Sequence, residues 1–384
     1  MPPITKQDNR IELARQIIEF GTEQEDLQER LVVPEVAMLV DLGLPWTPGL
    51  APTPQEINPE PSPGDPLPKA DVLVVTWTVA ENEALADVLT PGFSRKNWYR
   101  YDRNFNQYRP KIRQGAPALK ANRLGSYFPT KIGDRSVICF KSELHLNQDG
   151  VRTGDGTATL PVKDLFHQMI EEVQPELVIT VGTAGATFLD HQLGDTMITR
   201  GAKFRLSQEF KNETFAHTAY KCADFQIPTK HLEKAHELLK IHAHQLVEPD
   251  FGPPTKNYDF PGPLIKAPKN DPDFKIDGVD FEEFHPMLTT DFFEFGNSKN
   301  KLELEGCGVE MGDAVLGMVC EELGAAAPHW LVIRNASDPQ INGDLQDRPR
   351  ALNMQAHWAV WYYETYGYWT SVNSAIATWA MIAP

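Results

Sequence analysis

The sequence predicts an α/β fold, on three observations. Short β-branched runs alternate with segments of helical spacing, and 384 residues suffice for one large core or two smaller ones. The residues richest in chemistry also follow directly after the apolar runs, where α/β sheets place their sites.

The bulk numbers exclude several classes before any motif is read. With 41% hydrophobic and 23% charged residues the chain has the composition of a globular protein rather than a disordered or fibrous one. A formal net charge of −17 argues against duplex nucleic acid as a partner, because neutralising phosphates needs a basic face. The four cysteines, Cys139, Cys222, Cys307 and Cys320, are far apart and form no CxxC pair, so they suggest neither a zinc site nor a disulfide framework. Reduced cysteines, no leader-like start and no membrane-length apolar run together lead us to expect a cytoplasmic protein with no membrane partner.

Taken in order, residues 1–44 form a helical extension, with helical spacing in RIELARQIIEF and VPEVAMLVDLGL. Residues 45–69 are proline-rich and form an extended linker or a surface strap, since proline cannot sustain a helix. The main domain spans 70–384. DVLVVTW (71–77) reads as a strand entering the helix AENEALADVL, RSVICF as a strand, VKDLFHQMIEEV as an amphipathic helix, and PELVITVG as a buried strand ending in a glycine turn.

From about 207 to 285 the alternation weakens into an insertion with one clear helix, KHLEKAHELLKIHAHQL. The histidines there (His231, His236, His242, His244) follow no metal-ligand spacing and read as that helix's polar face. EMGDAVLGMVCEEL is helical and HWLVIRNASD is a strand. Two apolar helices, around ALNMQAHWAVWYYETYG and SVNSAIATWAMI, end the chain, and their crowded aromatics suit core packing or a subunit interface.

Three segments together resemble the nucleoside phosphorylase/nucleosidase superfamily, closest in motif to methylthioadenosine/S-adenosylhomocysteine-type nucleosidases. They are PELVITVGTAGATFLDHQLGDTMI (175–198), TTDFFEFGNSKNKLELEGCGVEMGDAVLGMVC (289–320) and HWLVIRNASDPQINGD (329–344). The resemblance implies a three-layer sandwich around a mixed, largely parallel sheet. It also implies a metal-free, cofactor-free enzyme that cleaves the N-glycosidic bond of a purine nucleoside or nucleotide, adenine type favoured, and that assembles as a homo-oligomer.

By the same resemblance, Thr183, Ala184 and Gly185 of the glycine turn line the ligand, Phe293 stacks on the base, and Met311 lies under the sugar. Where relatives carry a ribose-binding Glu after Met, this chain has Gly312, so Glu310 or Asp313 is expected to take its place. Asp338 matches the acid that protonates N7 of the leaving purine, a role the chemistry needs because a purine anion leaves poorly. Glu81 matches the carboxylate that positions water. As isolated features, Asp338 also suits a turn or helix cap, Glu81 a solvated first helical turn, and the phenylalanines a core.

Thr180 stands where several phosphorylases carry a phosphate-clamping arginine, which favours water over phosphate as nucleophile. A phosphorylase and a regulatory binding module that has lost turnover are the alternatives. Between 95 and 123, nine basic residues face only Asp102, and Arg95, Arg100, Arg103 and Arg109 could hold the phosphates of a nucleotide substrate, pair with a neighbouring subunit or, as a lesser alternative, help bind single-stranded nucleic acid by charge and stacking. His145 and Asp149 could line a site, although a structural loop suits them better.

Overall fold

The computed structural model describes residues 41–146, 149–246, 271–281, 284–294, 296, 300–341 and 354–384. The helical extension expected before residue 41 and part of the insertion lie outside them.

In chain order the strands are β1 (Thr53–Pro54), β2 (Val72–Thr76), β3 (Tyr99–Tyr101), β4 (Gly125–Ile132), β5 (Arg135–Ser142), β6 (Leu177–Ala186), β7 (Thr196–Thr199), β8 (Gly201–Arg205), β9 (Ala219–Lys221), β10 (Phe274–Ile276), β11 (Met287–Thr290), β12 (Gly308–Glu310) and β13 (His329–Asp338). The main helices are α1 (Val79–Leu89), α2 (Pro161–Val173), α3 (Leu232–Ala243), α4 (Asp313–Leu323) and α5 (Met354–Ile382). The strands join in one mixed, largely parallel sheet, with β5, β2, β6 and β13 running parallel through its centre.

The alternation of side chains along β2 explains the layers. Leu73 and Val75 face one core with Leu165, Phe166 and Met169 of α2 and Val315 and Val319 of α4. Val72 and Val74 face the other, with Leu85 of α1, Leu238 of α3 and Ile376 of α5. Helices therefore cover both faces, and each fully buried Leu, Val or Phe contributes roughly 1.5–3 kcal/mol. In α2 the buried residues Val162, Leu165, Phe166, Met169, Ile170 and Val173 keep the spacing of a single helical face.

Three local readings change. The GTAG segment is not a turn: Gly182–Gly185 continue β6, because β13 pairs with it up to Gly185 and β12 pairs with Gly185 and Ala186. Glu310 belongs to β12, and α4 starts three residues later with Gly312 as its N-cap. The two terminal helices are one, α5, running unbroken through Gly367. At Gly367 a Cβ would lie 3.7 Å from Ala80, and the Ser371 hydroxyl donates to the Gly367 carbonyl at 2.6 Å, so the glycine is a helix–helix contact rather than a break.

The proline-rich stretch lies against the sheet: β1 pairs with β4, and the Trp379 indole donates to the Leu50 carbonyl at 2.7 Å. Within the insertion, β9 extends the sheet beside β8, and His242 is buried, its Nε2 bonded to the Trp369 carbonyl at 2.9 Å, instead of lying on a polar face. Trp358, Trp361, Tyr362, Tyr366 and Trp369 form a buried cluster with Ile341 and Met354. No helix among the described residues is long and apolar enough to cross a membrane.

Candidate active site

At the carboxyl ends of β2, β6 and β13, a cavity of about 160 Å3 opens between the sheet and α5. Its lining includes Glu81, Thr183, Ala184, Gly185, Phe293, Glu310, Met311 and Asp338, residues drawn from five segments by sequence reasoning. Asp313 is absent from that wall.

Glu81 sits at the entrance to α1, where Thr78 is the N-cap. The Thr78 hydroxyl accepts the Glu81 N–H, and the Glu81 carboxylate accepts the Thr78 N–H, closing a reciprocal capping box. The residue is buried, not solvated. Its Oε2 accepts from the Thr76 hydroxyl (3.0 Å), the Trp77 N–H (3.1 Å) and the Thr78 N–H (2.8 Å), while Oε1 accepts from the Thr183 N–H (2.8 Å) and hydroxyl (2.9 Å). Burial alone would raise its pKa, but the Arg334 charge and these hydrogen bonds outweigh it, so the carboxyl stays below its ordinary range.

Arg334, which sequence reasoning did not single out, organises the site from the middle of β13. Its Nε and Nη2 donate to the two carboxylate oxygens of Asp313 at 2.9 and 2.6 Å, and Nη2 also reaches Glu310 Oε2 at 3.3 Å. Nη1 donates to the Thr183 carbonyl at 3.3 Å and lies 3.9 Å from Glu81. One buried cation thus faces three buried carboxylates. Burial and the nearby Asp313 charge raise the pKa of Glu310, which lets this cluster carry a proton instead of surplus negative charge.

The glycines of β6 make room for these groups. A Cβ at Gly182 would come within 2.5 Å of both Arg334 Nη1 and Glu81 Oε1, and one at Gly185 within 2.8 Å of Asp338 Oδ2. Close approach of side chains, not chain reversal, is what requires glycine here. Gly194 and Asp195 lie apart from the cavity, in the turn leading into β7, where Asp195 accepts the N–H groups of Gln192 and Asp273.

Asp338 ends β13 with a carboxyl only half engaged. Oδ1 accepts the Ser337 hydroxyl at 2.9 Å, whereas Oδ2 is buried with no hydrogen-bond partner among the described residues. Burial pushes its pKa up to about 7, so near neutral pH it is a proton donor poised at the cavity wall.

Phe293 and Met311 supply apolar lining, together with Val309, Val360 and Trp77. His145 also lines the cavity, while Asp149 accepts the His145 backbone N–H. Trp77 carried no motif signal, and Arg334, though it opens the Arg-x-x-Ser-Asp run that ends on Asp338, was given no role, because its partners come from distant segments. Phe295 lies outside the described residues. Thr180 is buried within β6, between Val75 and Val332, and does not line the cavity.

The basic segment is held elsewhere. Arg95 pairs with Glu83 at 3.0 Å, Arg100 with Asp102 at 3.3 Å, and Arg103 with Glu172 at 3.0 Å, while Arg109 donates to the Asn122 side chain at 2.9 Å. None of the four lines the cavity, and these contacts tie the segment to the acidic groups of the protein's own α1 and α2.

No protein-family profile and no curated protein matches the sequence. Among solved structures, the chain is similar to futalosine hydrolase of Helicobacter pylori, at 12% identity and a TM-score of 0.43, covering 81% of this chain and 96% of that one. It is similar to the 5′-methylthioadenosine/S-adenosylhomocysteine nucleosidase of Helicobacter pylori at 13% identity and a TM-score of 0.43, covering 82% and 98%. The corresponding nucleosidase of Neisseria meningitidis gives 12% identity and a TM-score of 0.41, covering 81% and 98%.

Proposed function

We propose that the protein is a purine nucleosidase, hydrolysing the N-glycosidic bond of an adenine-type nucleoside to free base and sugar, with Asp338 as the general acid. The observation that carries this reading is the buried, unpartnered Asp338 Oδ2, facing the same cavity as Phe293 and Glu81. A buried carboxyl without a partner is costly unless it is protonated or meets a ligand.

In this reading the base lies against Phe293 with N7 toward Asp338, and Met311 underlies the sugar. The C1′–N9 bond breaks with its electron pair passing to the base, while Asp338 delivers a proton to N7. Water attacks C1′ from the side of Glu81, and its surplus proton passes to solvent as Asp338 is reprotonated. The ionised Glu81, kept in its carboxylate form by Arg334, orients that water and balances the developing oxocarbenium charge. Water as nucleophile is supported by the lining, which among the described residues offers no arginine beyond Arg334, itself already committed to carboxylates.

Chromatography of free base after incubation with adenosine, AMP, ATP and methylthioadenosine, with and without phosphate, tests the proposal. Base release without phosphate is expected. Release only with phosphate would make it a phosphorylase, and no release from any purine compound would sink it.

The saturation of Glu81 favours a second reading. Five donors meet a carboxylate with about four lone-pair sites, leaving little capacity for a water. A binding or regulatory module on this fold would show tight nucleoside binding with no turnover in wild type.

A further inference from the structure

Hydrolysis needs a group that holds the attacking water and takes its surplus proton, and Glu81 has little capacity left for either. Its two oxygens already accept five donors, from Thr76, Trp77, Thr78 and Thr183. Glu310 accepts from the Thr289 hydroxyl, the Asp313 N–H and Arg334, and Glu294 is paired with Arg205. The same cavity is also lined by His145.

Trp77 ties His145 to the Glu81 side of the cavity. The Trp77 N–H donates to Glu81 Oε2 at 3.1 Å, its indole Nε1–H donates to the Leu144 carbonyl at 3.0 Å, and the indole and imidazole centres lie 6.4 Å apart. The backbone on both sides of the histidine is fixed. The Leu144 N–H donates to Ser142 Oγ at 3.0 Å, and the Asp149 carboxylate accepts the His145 N–H. The imidazole itself is left for the cavity: among the described residues neither ring nitrogen has a hydrogen-bond partner.

The surroundings keep that ring neutral. Burial and the charges of Lys141 and Arg334 oppose its protonation more than Glu81 and Glu143 favour it, and its pKa falls to about 4. Asp149, on the same loop, is pushed up to about 7 by burial. Asp338, on the other wall, is raised to about 7 as well, so between the two values the imidazole offers a lone pair while Asp338 holds a proton. A weak base suffices here, since water that has bonded to an oxocarbenium carbon is strongly acidic.

We propose that His145 holds the attacking water and accepts its proton, alongside the charge of Glu81. This rests on the nucleosidase reading. The water oxygen bonds to C1′ as the C1′–N9 electron pair passes to the base, one water proton moves to the imidazole, and Asp338 protonates N7. The imidazolium then returns its proton to solvent.

The test compares release of free base from adenosine and methylthioadenosine by the full chain, wild type and His145→Ala, with circular dichroism as the check on folding. In the variant kcat is expected to fall about 10^2-fold with KM within about threefold. Added imidazole is expected to restore part of the rate in proportion to its concentration, which it would not do for a merely structural side chain. His145→Gln, which can accept a hydrogen bond but no proton, is expected to lose about tenfold or more, and carries the test if the alanine variant does not fold. Either folded variant releasing base within about twofold of the wild-type rate overturns the proposal, as does a loss in His145→Ala that imidazole leaves unrelieved. Glu364, which lines the cavity from α5, is the rival, and a loss confined to Glu364→Gln overturns the proposal in its favour. No base release by wild type removes the nucleosidase reading and this inference together, whereas undiminished release by the His145 variants removes this inference alone.

Discussion

Across Gly182, the carboxylate of Glu81 and the guanidinium of Arg334 face each other at 3.9 Å, with room for no further atom on the glycine between them. The pair joins the start of α1 to the middle of β13 through the central strand β6. Its geometry, and that of the unpartnered Asp338, determine what substitutions and pH should do.

Gly182→Ala puts a methyl carbon 2.5 Å from both Arg334 Nη1 and Glu81 Oε1. Neither group can retreat without breaking buried hydrogen bonds. A loss of about 2–4 kcal/mol is expected in urea unfolding, with nucleoside binding lost in parallel. An unchanged denaturation midpoint would contradict this packing.

Arg334→Met strands Asp313 and Glu310 as buried carboxylates without their cation. The expected loss is about 3–5 kcal/mol near neutral pH, partly recovered on acidification as the carboxylates take up protons. Arg334→Lys should rescue little, since a single ammonium cannot reproduce the paired Nε and Nη2 bonds to Asp313. Thermal melts of the three proteins at pH 5 and pH 8 measure both effects.

The pH dependence of stability follows from Asp338, whose pKa rises from 3.8 to about 7 on folding. A group raised in this way gives its full contribution below the unfolded value, and the contribution is lost as pH rises through the folded one. Asp338→Asn does not titrate, so at pH 8 its melting temperature should exceed that of wild type by about 2–5 °C, with the advantage vanishing near pH 4. A variant less stable than wild type at pH 8 would speak against a strained, buried carboxylate.

The same group sets the rate profile. If Asp338 donates the proton, kcat falls as pH rises through about 7. Glu81, held below the ordinary carboxylate range, stays ionised throughout that window and contributes no limb to the profile near neutrality. Base release rising across pH 6–8 would assign the acid to another group.

Much of the scaffold was legible because its strands are compact β-branched runs: 71–77 became β2, and HWLVIRNASD became β13, ending on Asp338. The six regular apolar positions of α2 made it equally plain. Gly182–Gly185 misled because a glycine signals a turn and a close approach alike, and only Arg334, Glu81 and Asp338 in space distinguish them. Arg334 was hidden because its three carboxylate partners lie on α1, β12 and α4. The basic run at 95–123 suggested an outside anion, whereas acidic residues distant in sequence but adjacent in the fold, such as Glu83 and Glu172, take up its charge.

The role of Asp338 is tested most directly by comparing base release and ligand binding for wild type and Asp338→Asn at pH 6.5. The account predicts that release of free adenine from a purine nucleoside falls by about 10^2–10^4 in the variant, while its affinity for a non-hydrolysable nucleoside stays within about threefold. Equal base release by the two proteins, or none from wild type, would contradict it.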